Sequence, residues 1–423
     1  MKILWFTNTP CEASEKLTGE KITSGGWLYS LSTELKKIDG VQLYIAFNWG
    51  FKIDSFEYNG INYIPILYRG EDKPYMRALN RFKFIKNKGV PNDVMQRAIS
   101  VVKDVNPDIV HVHGSEEYFG LVSKYIDNQK FVLSIQGLMS PYFEKYYSGL
   151  KKEDLKRFDS ISKFIRCRNT AQEEITFRIK ADREREIFKY INNIIGRTFW
   201  DRQCSLALNP HRKYFEVGEI LRKEFYGVNV RPAHTSKTVL VSTVSSGIYK
   251  GLETIYNTAA IMNKCGFDFE WWVIGVAEND EYNKMVKVST KLQASDNSII
   301  LMGRKSAKEM VSIMTESSCF VQVSHIENSP NSLCEAMLLG LPIVATYAGG
   351  TASLIKDSEE GLLIQDGDPY VMAGAIMELM SNKENAIRMA KNAHRTACDR
   401  HNPQKIVKAL LDTYIHIINE KDS

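Results

Sequence analysis

Two carboxylates within one short stretch offer the clearest chemistry in this chain. Residues 324–350 read SHIENSPNSLCEAMLLGLPIVATYAGG. A β-branched and aromatic run at 319–324 leads in as a strand. Helical spacing follows over 331–339, and Gly340 and Pro342 stop it before a second strand at 342–346. Glu327 therefore falls in the loop ahead of the helix, and Glu335 about one turn inside it. Both sit at the C-terminal edge of a parallel sheet, where open α/β folds bind ligands. The amides of Asn331, Ser332 and Leu333 are first-turn donors without intrahelical acceptors, an anion site suited to a diphosphate. Pro330 stiffens its entry. Phosphates would repel a carboxylate there. The two glutamates must instead face neutral hydroxyls or developing positive charge, as on a sugar, a ribose or an oxocarbenium-like centre. The plainer reading is two surface carboxylates flanking a capped helix.

Other groups stand at strand ends. PDIVHVHGS, residues 107–115, closes a strand with His113, and His111 lies two residues earlier on the same face. A histidine there is otherwise a hydrogen-bonded core residue, which is the reading for His111. Gly25 and Gly26 precede a helix starting near Trp27, and glycine lets a ligand approach the backbone. Lys250-Gly251 follows a strand at 238–244, and Arg304 follows one at 298–302. Asp366-Gly367-Asp368 looks superficially like a metal motif but reads better as a turn and helix cap.

These groups need a scaffold of alternating strands and helices. In the first half, strands are expected at 3–7, 41–47, 61–67, 108–113, 131–136, 193–197 and 205–209. In the second half they are expected at 238–244, 269–276, 298–302, 319–324, 342–346 and 361–364. Most lack apolar/polar alternation, as strands buried on both faces do. Two parallel-sheet α/β domains follow. They are a first domain at 1–210, a linker at 211–236, a second domain at 237–402, and a final helix at 403–423 packing back on the first domain. Ile406, Leu410, Tyr414 and Ile417 or Ile418 form that helix's apolar face. Residues 139–192 carry no strand signal. They read as charged helices on the first domain, with apolar faces drawn from Ile161, Phe164, Ile165, Ile175, Ile179, Ile187 and Phe188.

Composition sets the outer bounds. With 423 residues the chain exceeds the usual size of a single core. A net charge of +5 is too mild for a nucleic-acid binder but suits anionic small molecules or an anionic membrane surface. Seven cysteines are scattered without a CxxC pair and read as buried thiols in a reducing compartment. MKILWFTNTP reads directly as a strand rather than a secretion signal, and no long apolar run could span a bilayer. A cytoplasmic protein is expected.

Glu327 and Glu335, the Pro-Asn-Ser stretch and the trailing Gly349-Gly350 resemble the E-x7-E signature of retaining GT-B glycosyltransferases of family 4. The resemblance implies two Rossmann-like domains facing a cleft. It also implies transfer from a nucleoside-diphosphate sugar to a sugar or lipid-linked glycan, as in surface polysaccharide synthesis. By the resemblance Glu327 and His113 contact the donor sugar and Glu335 binds the ribose diol. Lys250 neutralises the departing diphosphate, and Gly25-Gly26 approaches the donor phosphate. Lysine and helix amides would stand in for a metal, so no metal and no cofactor beyond the donor is expected. Two positions depart from the family pattern. Val244 occupies the place of a frequent arginine, for which Arg304 is the candidate substitute, and Gln136-Gly137 replaces a frequent His-Gly.

Competing classes are an epimerase or hydrolase on the same scaffold, a nucleotide-sugar-binding protein without catalysis, and a dehydrogenase. The last is disfavoured because no GxGxxG follows any strand.

Overall fold

The computed structural model describes residues 1–19, 26–68, 74–127, 130–228, 237–245 and 247–420. Unbroken apolar runs become strands covered on both faces. In β1 (Lys2–Thr7), every residue from Ile3 to Thr7 is buried. The first sheet continues with β2 (Gln42–Trp49), β3 (Phe56–Tyr58), β4 (Ile61–Leu67), β5 (Ile109–His113), β6 (Phe131–Ser134), β7 (Asn193–Gly196) and β8 (Lys213–Glu216). Its order is β3-β4-β2-β1-β5-β6-β7-β8. All pairings are parallel except the β3–β4 hairpin, which turns at Asn59-Gly60, both at positive φ.

The second sheet is parallel throughout. It comprises β9 (Thr238–Thr243), β10 (Phe269–Ile274), β11 (Ile299–Gly303), β12 (Cys319–Gln322), β13 (Ile343–Thr346) and β14 (Leu362–Ile364), in the order β11-β10-β9-β12-β13-β14. In each sheet the chain builds outward from one central strand and then reverses direction. The reversal falls between β1 and β5 in the first sheet and between β9 and β12 in the second. Loops leaving the carboxyl ends of those strands diverge and open a crevice, where ligands bind in this fold class.

The chain divides into two units. The first holds Met1–Glu144, Asp159–Ile220 and the segment from Asn402 onward; the second holds Lys145–Phe158 and Leu221–His401. Helix Pro403–Asn419 buries Ile406, Val407, Leu410, Tyr414 and Ile417 in the first unit's core beside Trp5, and Trp5 Nε1 donates to the Tyr414 hydroxyl at 3.0 Å.

Four expectations need correction. Residues 205–209 are not a strand but the end of helix Phe199–Leu208. That helix starts from a capping box, in which Thr198 Oγ accepts from the Asp201 amide at 3.1 Å and the Asp201 side chain answers the Thr198 amide. The edge strand expected there is β8, inside the stretch read as linker; residues 229–236 of that stretch lie outside the described ones. Residues 145–158 belong to the second unit, where Leu150 and Leu155 are buried in its core and Asp154 accepts from Ser289 at 3.0 Å. Each such leucine contributes about 1.5–3 kcal/mol by leaving water. Ile161, Phe164, Ile165 and Ile175 are exposed rather than packed, while Ile179, Ile187 and Phe188 are buried. Of the seven free cysteines, Cys265 and Cys398 are exposed. Among the described residues no helix is long and apolar enough to cross a membrane.

Candidate active site

The switch point of the second sheet gathers the strongest constellation. After β9 the chain makes a short 3-10 turn, Ile248–Lys250, and enters helix Leu252–Lys264 through Gly251. After β12 it runs through Ser324–Glu327 into helix Asn331–Leu338. The two loops are zipped together, with the His325 amide donating to the Tyr249 carbonyl at 2.8 Å. Gly251 has φ +78°, and a Cβ there would lie 2.1 Å from the Val323 carbonyl oxygen. Only glycine permits that approach.

Lys250 Nζ is ion-paired with Glu327 Oε1, and Ser324 Oγ donates to the same oxygen at 3.1 Å. Burial disfavours the ammonium, but the neighbouring Glu327 carboxylate outweighs it and holds Lys250 above the ordinary lysine range. The ammonium also stands 5.5 Å from the centre of the Tyr249 ring. Glu327's own backbone is clamped from behind by the glycine pair. Gly350 donates to its carbonyl at 2.9 Å, and a Cβ on Gly349 would lie 2.0 Å from that oxygen. The trailing Gly-Gly therefore fixes the loop that carries the carboxylate.

Glu335 lies inside helix Asn331–Leu338 and is 1% exposed. Both of its oxygens accept from Arg222, Nε to Oε1 and Nη2 to Oε2, each at 2.6 Å. Burial pushes the Glu335 carboxyl up while Arg222 opposes it. Burial likewise works against the Arg222 charge, and Glu335 more than restores it. The bidentate geometry is that of an ion pair. Four lone-pair directions on a carboxylate leave capacity beyond this fork.

Of the three first-turn amides expected as an anion site, Leu333 is already spent on the Pro330 carbonyl at 3.0 Å. The 3-10 geometry of the first turn satisfies it locally. The amides of Asn331 and Ser332 have no protein acceptor among the described residues. Arg304 is exposed at the carboxyl end of β11, on the far flank of the sheet beyond β10. Val244 is buried in the apolar core, with its amide bonded to the Ile274 carbonyl at 2.9 Å. Asp368 caps helix Pro369–Ser381 through the Tyr370 and Val371 amides at 3.1 and 3.0 Å.

Sequence reading missed His325, between Ser324 and Glu327. It is buried, with Nε2 2.6 Å from Glu253 Oε1 and Nδ1 3.3 Å from Asp366 Oδ2. Lys145 approaches the same Asp366 oxygen at 3.8 Å. Burial lowers the pKa of His325, but hydrogen bonds and charge from Glu253 and then Asp366 overcome this and raise it above 6.5. Its stabilisation is complete below that ordinary imidazole value and is lost as pH rises through the higher folded-state value. Thermal melts from pH 6 to 9 should therefore show an alkaline decline that His325→Gln flattens. An unchanged decline in the variant would assign it to other groups.

The first unit has its own constellation at the β1–β5 reversal. His113 ends β5, is 1% exposed, and has no hydrogen-bond partner on either ring nitrogen among the described residues. It stacks on His111 at 3.8 Å and meets Trp5 and Trp27 edge-on at 4.5 and 5.7 Å. Burial, then the charges of His111 and Arg197, holds it well below the usual imidazole range. A neutral ring presents one donor and one acceptor, the complement of a hydroxyl. His111 is fully engaged, Nδ1 with Tyr414 at 2.5 Å and Nε2 with Ser134 at 2.6 Å. Gly26 opens helix Gly26–Leu35 next to Trp27; Gly25 lies outside the described residues. The Gly137 amide donates to Glu116 Oε1 at 3.3 Å. Burial pushes the Glu116 carboxyl up to about 7.

Comparison with known proteins matches this architecture. Residues 230–396, which fall within the span of the second unit, match the family model of glycosyl transferases group 1. A sucrose-phosphate synthase from Thermosynechococcus elongatus superposes with TM-score 0.67 over 99% of each chain at 14% identity. Alr3699/HepE of Anabaena, solved in complex with UDP-glucose, superposes with TM-score 0.65 over 98% of this chain and 100% of its own, at 13% identity. The fold is thus the two-sheet GT-B fold of glycosyltransferases. In sequence, the amylovoran biosynthesis glycosyltransferase AmsK of Erwinia amylovora is 24% identical over 173 residues, 40% of this chain and 42% of that protein. The chain spans well under two thirds of the length of the curated relatives it matches.

Proposed function

We propose that this chain is a retaining glycosyltransferase of family 4. It moves a sugar from a nucleoside diphosphate to a sugar or lipid-linked glycan in surface polysaccharide synthesis, at the inner face of an anionic membrane. The observation that carries this reading is the Lys250–Glu327 pair at the β9–β12 switch point, inside the stretch that matches the group 1 model. An ammonium already poised there serves a departing diphosphate. A carboxylate clamped beside it serves sugar hydroxyls and the positive charge that grows on the anomeric carbon. The Asn331 and Ser332 amides add donors on the phosphate side. Glu335 is assigned to the ribose diol, His113 to the donor sugar and Gly25-Gly26 to the donor phosphate by the same resemblance, and Arg304 is the candidate substitute for the arginine that Val244 replaces.

With stabilisation concentrated on the leaving group, the acceptor oxygen attacks the anomeric carbon from that same face. The carbon–oxygen bond to phosphate breaks as the new glycosidic bond forms. The departing phosphate oxygen takes the acceptor proton, and configuration is retained. The test is incubation with a panel of labelled nucleotide sugars, UDP-glucose first, watching for free nucleotide. Transfer from an α-linked donor should give an α-linked product by anomeric proton coupling. A β-linked product would overturn the mechanism.

The same reading makes transfer independent of metal, because Lys250 and the amides provide the positive field. Among the described residues no group of three or more His, Cys, Asp or Glu side chains is arranged to hold a metal ion. Excess chelator should leave the rate unchanged; loss restored by magnesium or manganese would refute this.

A further inference from the structure

Helix Pro74–Lys86 carries a surface that the donor chemistry leaves unexplained. Tyr75, Leu79 and Phe82 recur at i, i+4 and i+7 and share one face. All three are between 41% and 63% exposed. Residues 74–88 also hold Arg77, Arg81, Lys83, Lys86 and Lys88, and no carboxylate. The helix is anchored to the first unit from its other side, where Phe84 is buried and Arg81 is paired with Glu173 at 3.1 Å. Glu173 also receives Arg168 at 3.3 Å, from the turn that follows helix Ile161–Ile165. That short helix exposes Ile161, Phe164 and Ile165 by 62–81%. Two apolar, cation-rich elements therefore meet at one glutamate.

We propose that this surface docks the first unit onto an anionic lipid bilayer, with the Tyr75–Leu79–Phe82 stripe at the headgroup boundary and the exposed Lys83, Lys86 and Lys88 beside it. The charge is complementary to such a surface, and an aromatic stripe on a basic helix is the pattern that lies in a membrane interface. A protein partner fits less well, because lysine is depleted at protein–protein interfaces and three of the five cations are lysines. The inference places the membrane association of the functional proposal on defined residues, yet stands or falls apart from sugar transfer.

Co-sedimentation of the full chain with vesicles tests it. Equimolar phosphatidylglycerol and phosphatidylcholine should capture the protein at low salt, phosphatidylcholine alone should not, and added salt should release it. The variant Tyr75→Ser/Leu79→Ser/Phe82→Ser should partition at least about tenfold more weakly. Its melting temperature and nucleotide-sugar turnover in solution should stay unchanged. Absence of capture at low salt, or capture unaltered in the variant, overturns the proposal. So does a wild-type dimer in sedimentation velocity that the triple variant abolishes, since the stripe would then belong to a second copy of the chain.

Discussion

Lys250→Ala is expected to lower turnover by about two orders of magnitude, because the leaving diphosphate would lose the cation nearest its developing charge. The ammonium is fixed before any ligand arrives, by Glu327 and by the loop that Gly251 allows. Preorganised charge of this kind costs no rearrangement during reaction. The variant should remain folded, since Glu327 keeps its bond from Ser324 and stays partly open to water. Lys250→Arg should recover part of the rate. Steady-state kinetics with the preferred nucleotide sugar, beside a melt of each variant, provides the check. Wild-type turnover in the alanine variant would move leaving-group stabilisation elsewhere, with Arg304 the first candidate.

Glu335→Ala carries two losses that can be separated. The carboxylate is buried and holds Arg222 by both oxygens, so its removal strands a guanidinium in a largely apolar setting. Breaking such a pair costs about 3 kcal/mol here, the low end of the usual range because Arg222 is partly exposed. If Glu335 also binds the ribose diol, transition-state binding of the donor falls by a further 2–4 kcal/mol or so. Arg222→Met breaks the same pair but keeps the carboxylate. It should destabilise comparably in urea unfolding while retaining donor affinity. Equal loss of kcat/KM in both variants would make Glu335 a purely structural residue.

The setting of Glu327 and Lys250 in loops that follow strands, and of Glu335 inside the next helix, was legible because strand, loop and helix are sharply punctuated there. Glycine and proline punctuated the loops, and buried parallel strands announced themselves by unbroken apolar runs. Arg222 was not legible, since it lies 113 residues from its partner in a stretch with no period. His325 was hidden for the same reason: its carboxylates come from a helix start and from the end of another strand. Capping at Thr198 overrode an apolar run that looked extended. The exposure of Ile161 and Phe164 also could not be read, because helical spacing says which residues share a face and not what covers it.

The interleaving of the two units bears on the order in which the polypeptide can mature. Lys145–Phe158 is synthesised early but finds its core, with Leu150 and Leu155, only among residues made after Leu221. The first unit in turn waits for Ile406, Leu410 and Tyr414, which leave the ribosome after the second unit is already complete in sequence. Vectorial folding, in which one domain finishes before the next is made, is therefore closed to this chain. Nascent chains stalled near residue 220 should show apolar surface that binds chaperones, and neither half should be recoverable by cutting the gene once.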